Sequence, residues 1–154
     1  MSVIIANRQR TKEINVRLLK QIVNGLFAEL IVAEAELGIN LVGAREMTLV
    51  NETFLQHEGS TDVITFDHSK KRKQLHGELF VCVDEAILQA KVFKTNWQSE
   101  IIRYIVHGVL HLLGHDDLKR DLRRKMKREE NRLVRLLAKK FSLAQIAGRP
   151  KMSV

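Results

Sequence analysis

Residues 107–117 read His-Gly-Val-Leu-His-Leu-Leu-Gly-His-Asp-Asp and place two histidines four positions apart in an apolar run that a glycine ends. Residues four apart are neighbours on a helix surface, so the rings of His107 and His111 can converge on one ion. Residues 101–113 are apolar on nearly every side, which predicts a buried helix. A buried imidazole without a partner costs about 1–3 kcal/mol, and one shared metal ion would satisfy both rings.

The turn after this helix can bring polar side chains back toward the histidines. In the motif H-x-x-x-H-x-x-G-x-x-H the third metal ligand follows the second by six residues, and Asp117 occupies that position. His115 and Asp116 are alternative third ligands, or partners that orient a ring nitrogen. The competing interpretation is a pair of hydrogen-bonded core histidines beside a surface turn. We therefore predict one zinc ion bound by His107, His111 and Asp117.

The residue after the first histidine separates this site from those of common zinc peptidases. Peptidases of the H-E-x-x-H type place a glutamate there as general base. The equivalent residue is Gly108. The sequence therefore argues against ordinary peptide hydrolysis.

The positive charge of the chain is concentrated near its C-terminus. The formal net charge is +8, and residues 118–151 carry thirteen Lys or Arg and three Asp or Glu, a local balance of +10. This asymmetry indicates a polyanionic partner, nucleic acid or an acidic membrane surface, against the alternative of a solvated helix face. For a nucleic-acid partner, the candidate contacts lie in a basic loop and on the last helix: Lys70, Lys71, Arg72, Lys73, Arg123, Arg124 and Lys127.

Composition limits the class and the compartment of the protein. A length of 154 residues, with 45% hydrophobic and 29% charged residues, is typical of one folded domain. No membrane span is predicted because Arg103 and His107 interrupt the strongest apolar run, and the N-terminal apolar core is too short for a secretory signal. The single cysteine, Cys82, cannot form an internal disulfide, which favours a reducing, cytoplasmic setting.

Hydrophobic periodicity predicts an α/β (α+β) fold over residues 1–154, with one sheet of about four strands covered by helices. The predicted strands cover residues 2–6, 37–42, 61–66 and 75–83. The predicted helices, with N-caps Thr11, Asp84 and Asn96 or Ser99, cover residues 12–35, 44–55, 84–94, about 97–113 and 118–140. Gly25 lies inside the first helix at a cost of about 1 kcal/mol relative to alanine, so we expect a packing reason or a bend there.

The last predicted helix combines a buried stripe with a basic surface. The stripe consists of Leu118, Leu122, Met126, Leu133 and Leu137. Glu129 and Glu130 are expected to interrupt the basic surface. The tail, residues 142–154, contains the single proline and is predicted to fray.

These motifs resemble the YbeY endoribonuclease family, whose signature is H-G-x-L-H-L-x-G-x-D-H. Residues 107–117 match it except at the last histidine, where Asp117 stands. Upstream, Asn51, Phe54 and residues 61–66 (Thr-Asp-Val-Ile-Thr-Phe) are similar to the family's N-x-x-Y/F … T-D-V-L-S-F segment. Gly77-Glu78 stands where the family has Gly-Asp, so the resemblance extends over about residues 37–135.

The resemblance implies a single α/β domain that binds zinc through three side chains, with His107 and His111 as ligands. It further implies single-strand-specific RNA cleavage in the 3′-end maturation of 16S ribosomal RNA and in ribosome quality control. The implied partners are ribosomal RNA, the small ribosomal subunit, and a ribosomal protein or a ribosome-associated GTPase.

One position of the resemblance bears on catalysis. Leu55 stands where family members have an arginine associated with RNA cleavage, so no catalytic residue is assigned. Arg45 or a residue of the basic loop would have to substitute for that arginine. The alternative function is a non-catalytic, metal-stabilised ribosome-biogenesis factor that binds ribosomal RNA or a partner protein.

Overall fold

The computed structural model describes residues 2–70 and 74–148. Within these ranges the strands are β1 (Ser2–Asn7), β2 (Ala35–Val42), β3 (Val63–Asp67) and β4 (Leu75–Cys82). The helices are α1 (Val16–Glu29), α2 (Ala44–Leu55), α3 (Val83–Phe93), α4 (Trp97–Leu112) and α5 (Arg120–Lys140), followed by a 3-10 turn, Leu143–Ile146. No helix in the described ranges is both long and apolar enough to span a membrane.

The described strands form one sheet in the order β1-β2-β4-β3. The pairs β1–β2 and β2–β4 are parallel, whereas β3 is an edge strand antiparallel to β4. One face of the sheet packs against α1 and α4, and the other contacts α2 through Val42, Met47 and Ile64. The predicted α/β fold with about four strands is therefore confirmed.

Two glycines let α4 lie close to the sheet. A Cβ atom on Gly108 would stand 2.6 Å from Leu79 Cδ2. A Cβ atom on Gly77, in β4, would stand 2.6 Å from Leu112 Cδ2 and 2.8 Å from the Phe66 carbonyl oxygen. The helix that carries both histidines is thus held against β4, and its residues Ile101, Ile102, Ile105, Val106, Val109 and Leu110 are buried.

Two predicted N-caps are wrong. The first helix begins after Asn15, whose side chain accepts a hydrogen bond from the Leu18 amide at 3.1 Å. Asp84 lies inside α3, and its Oδ2 accepts a hydrogen bond from the Ala44 amide at 2.7 Å. Asp84 therefore caps α2, forty positions earlier in the chain, while Thr11 donates to its other carboxylate oxygen at 2.8 Å.

The predicted stripe of the last helix is partly wrong. Met126, Leu133 and Leu137 are buried. Leu118 is 83% exposed and Leu122 is 38% exposed. The helix α5 starts only at Arg120, so Leu118 precedes it. Residues 118–125 are all exposed to solvent, so the buried stripe begins at Met126.

The chain does not fray at Ser142 as predicted, because residues 142–148 pack against the start of α1. Ile146 is fully buried, and its carbonyl accepts a hydrogen bond from the Asn15 amide at 2.7 Å. Phe141 supplies the expected packing reason for Gly25, since a Cβ atom there would stand 2.9 Å from Phe141 Cε2. The rest of the predicted tail, residues 149–154, lies outside the described residues.

Candidate metal centre

Three predicted ligand side chains converge at the C-terminal end of α4. The Nε2 atoms of His107 and His111 lie 3.2 Å apart. Asp117 Oδ2 lies 3.7 Å from His107 Nε2 and 3.5 Å from His111 Nε2. Bonds of 2.0–2.1 Å in a tetrahedral zinc site separate the ligand atoms by about 3.3–3.4 Å. These three side chains, the donor triad, therefore fit a zinc ion and can leave a fourth position for water or substrate.

The turn at Gly114 determines which acidic side chain joins the histidines. Gly114 has a φ of +97°, a left-handed conformation that favours glycine at a helix end. Its amide donates to the His111 carbonyl at 3.0 Å, and the chain reverses. Asp116 instead accepts a hydrogen bond from the Leu118 amide at 2.8 Å. Within the described residues, neither Asp116 nor His115 belongs to the group of donor atoms that can hold a metal ion.

Glu130 on α5 is a residue that sequence reasoning missed. It contacts His107 at Nδ1, the ring nitrogen that does not face the other donor atoms. Glu130 is 3% exposed, and its Oε1 lies 3.0 Å from His107 Nδ1. Its Oε2 accepts hydrogen bonds from Arg103 and Lys127, each at 2.9 Å. The expectation that Glu129 and Glu130 both interrupt the basic surface is therefore wrong for Glu130.

The charge state of Glu130 fixes the proton of His107. Burial alone raises the pKa of Glu130, but hydrogen bonds from His107 and Lys127 outweigh burial and bring that pKa to about 2. An ionised carboxylate only accepts hydrogen bonds, so His107 donates through Nδ1. In neutral His107, Nε2 then presents a lone pair toward the other donor-triad atoms, which is the form that binds a metal. The same hydrogen bond is the main reason that the pKa of His107 is raised.

A cleft of about 400 Å³ opens beside the donor triad. His107 and His111 line it together with β3 residues, among them Thr65. Leu55, the last residue of α2, also lines the cleft and is 41% exposed. Leu55 therefore presents an apolar side chain to the cleft beside the donor triad.

Two of the predicted RNA contacts lie next to the donor triad. Arg123 and Lys127 line a small cavity of about 80 Å³ together with His107 and Asp117. The Arg123 guanidinium donates to the Asp117 carbonyl at 3.1 Å. These two cations are therefore positioned to meet an anion bound at the metal centre.

The other predicted contacts lie further away or outside the described residues. Arg124 and Lys70 are exposed and do not line the cavities beside the donor triad. Lys71, Arg72 and Lys73 lie outside the described residues. Arg45 lies in the first turn of α2, about 15 Å along the helix from Leu55, and it does not line the cleft.

Comparisons with known proteins point to one family. The family model described as Endoribonuclease YbeY matches residues 4–138. Proteins named Endoribonuclease YbeY from Chlorobium phaeovibrioides and Parabacteroides distasonis are 39% and 40% identical over 95 and 88 residues. The alignments cover 62% and 57% of this chain, and 64% and 61% of the relatives' own lengths.

A solved structure supports the fold independently of close sequence similarity. The solution structure of a protein from Thermotoga maritima superposes with a TM-score of 0.69 at 21% identity. The match covers 90% of this chain and 91% of that chain. The α/β fold of this chain is therefore shared by a protein of low sequence identity.

Proposed function

The chain belongs to the Endoribonuclease YbeY family, and on that basis we propose that it is a zinc-dependent endoribonuclease that cuts single-stranded RNA. The observation that carries this proposal is the convergence of His107, His111 and Asp117 at an open cleft. Its substrate is ribosomal RNA of the small subunit, in the 3′-end maturation of 16S RNA and in ribosome quality control, within the cytoplasm. A ribosomal protein or a ribosome-associated GTPase is a further partner.

The donor set is consistent with zinc at this position. Two imidazoles and one carboxylate with an open fourth position resemble the ligand sets of catalytic zinc sites. When bound, the ion would polarise a phosphoryl oxygen or lower the pKa of a bound water. The Asp117 carboxylate makes the ligand set more negative than three neutral imidazoles, so we expect a weaker effect on bound water.

The remaining side chains orient the ligands and bind phosphate. Glu130 holds the Nδ1 proton of His107, which keeps Nε2 directed at the ion. Arg123 and Lys127 lie close enough to the donor triad to pair with the phosphates that flank the cut. The basic surface of α5, with Arg124, and the loop of Lys70, Lys71, Arg72 and Lys73 attract the RNA backbone over a longer range.

One observation favours the alternative function, a metal-stabilised ribosome-biogenesis factor that binds RNA or a partner protein without cutting. Leu55 lines the cleft at the position of the family arginine and cannot neutralise a phosphate. In this alternative the donor triad would stabilise the end of α4, and the basic surface would serve RNA binding alone.

Cleavage assays on zinc-loaded protein separate the two functions. We expect wild type to cut single-stranded RNA and to leave a duplex of the same sequence intact. His111→Ala should lose bound zinc and cleavage together, while RNA binding persists through α5. Wild type that binds RNA at full zinc occupancy without cutting would favour the alternative, and cleavage by zinc-free His111→Ala would eliminate the metal mechanism.

A further inference from the structure

The outer edge of β3 presents backbone groups that lack partners among residues 2–70 and 74–148. The Cys82 amide donates to the Asp62 carbonyl at 2.9 Å, and the His68 amide donates to the His76 carbonyl at 2.8 Å. In an antiparallel pair, alternate residues bond to the neighbouring strand and the residues between them point away from it. Thr65, which pairs with Leu79, therefore directs its amide and its carbonyl away from β4.

This edge lies along the cleft of the metal centre. Thr65 lines the cleft together with His107 and His111, and β3 is the last strand of the sheet on that side. None of the described residues hydrogen-bonds to the Thr65 amide or carbonyl. One donor and one acceptor, fixed by the sheet and pointing in the same direction, are thus available to a ligand in the cleft.

We propose that the Thr65 amide and carbonyl bind the Watson–Crick edge of an unpaired base next to the scissile phosphate. This inference rests on the proposed RNA cleavage, and it names the part of the substrate that the cleft reads. Uracil, for example, can donate from its N3–H to the Thr65 carbonyl and accept from the Thr65 amide through a ring carbonyl oxygen.

Such a contact supplies a physical reason for single-strand selectivity. A base that is already paired in a duplex has its Watson–Crick edge occupied, and RNA-binding proteins reach that edge only in unstacked, single-stranded segments. Each of the four bases offers at least one donor and one acceptor on this edge. The Thr65 edge therefore selects for unpaired nucleotides and distinguishes weakly among sequences.

Nucleic acid is favoured over an extended peptide as the occupant of this edge. An edge strand can also pair with a peptide strand. However, Gly108 replaces the glutamate that zinc peptidases use as general base. The cations Arg123 and Lys127 also flank the same metal centre, and they suit a phosphate backbone.

Methyl groups placed on either edge of uracil test the contact directly. A labelled oligouridylate of about eight nucleotides would carry one 3-methyluridine at each position in turn, with 5-methyluridine at the same position as matched control. Binding to full-length, zinc-loaded protein would be measured by fluorescence anisotropy. We expect 3-methylation at one or two adjacent positions to weaken binding about tenfold, and 5-methylation to leave it unchanged.

A backbone substitution tests the protein side. Thr65→Pro removes the amide donor without removing a hydrogen bond of the sheet, since proline is tolerated on edge strands. It should weaken binding of unmodified oligouridylate about tenfold, while 3-methylation should still weaken binding further because the carbonyl at position 65 remains. Ile5→Pro, on the opposite edge strand β1, controls for the general effect of proline on the sheet.

The outcomes separate this inference from the proposed nuclease function. Equal binding of 3-methyl and 5-methyl substrates at every position would overturn the inference, as would wild-type affinity of folded Thr65→Pro for unmodified oligouridylate. If Thr65→Pro does not fold, the methyl scan decides alone. Gel analysis of the same samples reports cleavage, so discrimination without cleavage would overturn the nuclease function and leave the base contact standing.

Discussion

His107 Nδ1 lies 3.0 Å from Glu130 Oε1, and this contact joins the end of α4 to the middle of α5. The two residues are 23 positions apart, and the Glu130 side chain is only 4% exposed. Arg103 and Lys127 neutralise the carboxylate from its other oxygen. The orientation of one ligand ring therefore depends on a helix that contributes no atom to the donor triad.

We expect Glu130→Gln to reduce zinc affinity about tenfold or more. The amide keeps an oxygen near His107 Nδ1 but loses the charge that holds the Nδ1 proton and pairs with Arg103 and Lys127. The free energy of unfolding should fall by about 1–3 kcal/mol, because two cations lose their buried partner. Competition with a fluorescent zinc chelator and chemical denaturation measure the two effects.

Glu129→Gln is the matched control, because Glu129 is the adjacent glutamate and pairs with Arg132 near the surface. Surface pairs of this kind contribute about 0–1 kcal/mol, so both measured quantities should stay close to wild type. Equal zinc affinity in Glu130→Gln and Glu129→Gln would show that Glu130 has no role in orienting His107.

The identity of the third ligand can be tested by alanine substitutions in the turn. Asp117→Ala should lower zinc affinity far more than His115→Ala, because Asp117 Oδ2 lies 3.5 Å from His111 Nε2 and His115 is outside the group of donor atoms. Zinc stoichiometry after dialysis against a weak chelator gives the order of the two variants. A larger loss in His115→Ala would assign the third position to that histidine.

Local spacing in the sequence predicted the parts of the site that lie close together in the chain. His107 and His111 are one turn apart, and Gly114 signals the reversal that returns Asp117. The charge of Glu130 and its basic neighbours predict a surface position for this residue. The sequence nevertheless indicates a buried position, because four residues of α5 are spaced by four, three and four and share one buried face: Met126, Glu130, Leu133 and Leu137.

Contacts between distant segments explain most of the other errors. Aspartate is a residue type that favours N-cap positions, and Asp84 lies near the start of its own helix. It caps α2 instead, because α2 and α3 start side by side at the ends of β2 and β4. The packing of residues 142–148 against the start of α1 likewise depends on a tertiary contact that no local pattern encodes. Propensity and periodicity describe single helices and strands, whereas tertiary contacts determine which distant residues cap or pack against one another.

Gly77→Ala should destabilise the protein by about 1–3 kcal/mol, because the added Cβ atom would stand 2.8 Å from the Phe66 carbonyl oxygen and 2.6 Å from Leu112. A backbone oxygen cannot move aside as a flexible side chain can. Gly38→Ala, on neighbouring β2, is the control, since its Cβ atom would meet Glu78 Cγ at an ordinary 3.5 Å. Comparable denaturation midpoints for the two variants would contradict the close packing of α4 on β4.

Tyr104→Phe should stabilise the protein by about 1 kcal/mol near neutral pH. Tyr104 is 5% exposed, and among the described residues its hydroxyl is a buried side-chain group without a hydrogen-bond partner. A buried hydroxyl without a partner is unfavourable relative to its hydration in the unfolded chain. Guanidinium denaturation of both proteins at pH 7 measures the difference, and a less stable variant would indicate that the hydroxyl has a partner.

The free energies of unfolding of wild type and Tyr104→Phe should diverge as the pH rises. Burial, with the nearby charge of Glu100, raises the pKa of Tyr104 above its ordinary value. A raised pKa in the folded state means that the stability linked to neutral Tyr104 is fully present below about pH 10. That contribution is lost as the pH increases further. Wild type should therefore lose up to about 1.4 kcal/mol per pH unit more than Tyr104→Phe above that point. Because the sequence contains a single tyrosine, tyrosinate absorbance reports this group alone, and ionisation near pH 10 in the folded protein would refute the prediction.

Leu55→Arg tests whether the apolar side chain in the cleft limits catalysis. Leu55 lines the cleft with His107 and His111, so an arginine there can reach an anion bound at the metal centre. A preorganised cation aimed at the charge that develops on phosphate should raise kcat/KM for single-stranded RNA by at least about tenfold. Leu49→Arg is the control, because Leu49 is 58% exposed on the same helix and does not line the cleft, so it adds the same charge without approaching the donor triad. An equal increase in both variants would mean that the gain comes from general electrostatic attraction of RNA. No increase in Leu55→Arg would mean that cations already present, such as Lys127, stabilise the developing charge sufficiently.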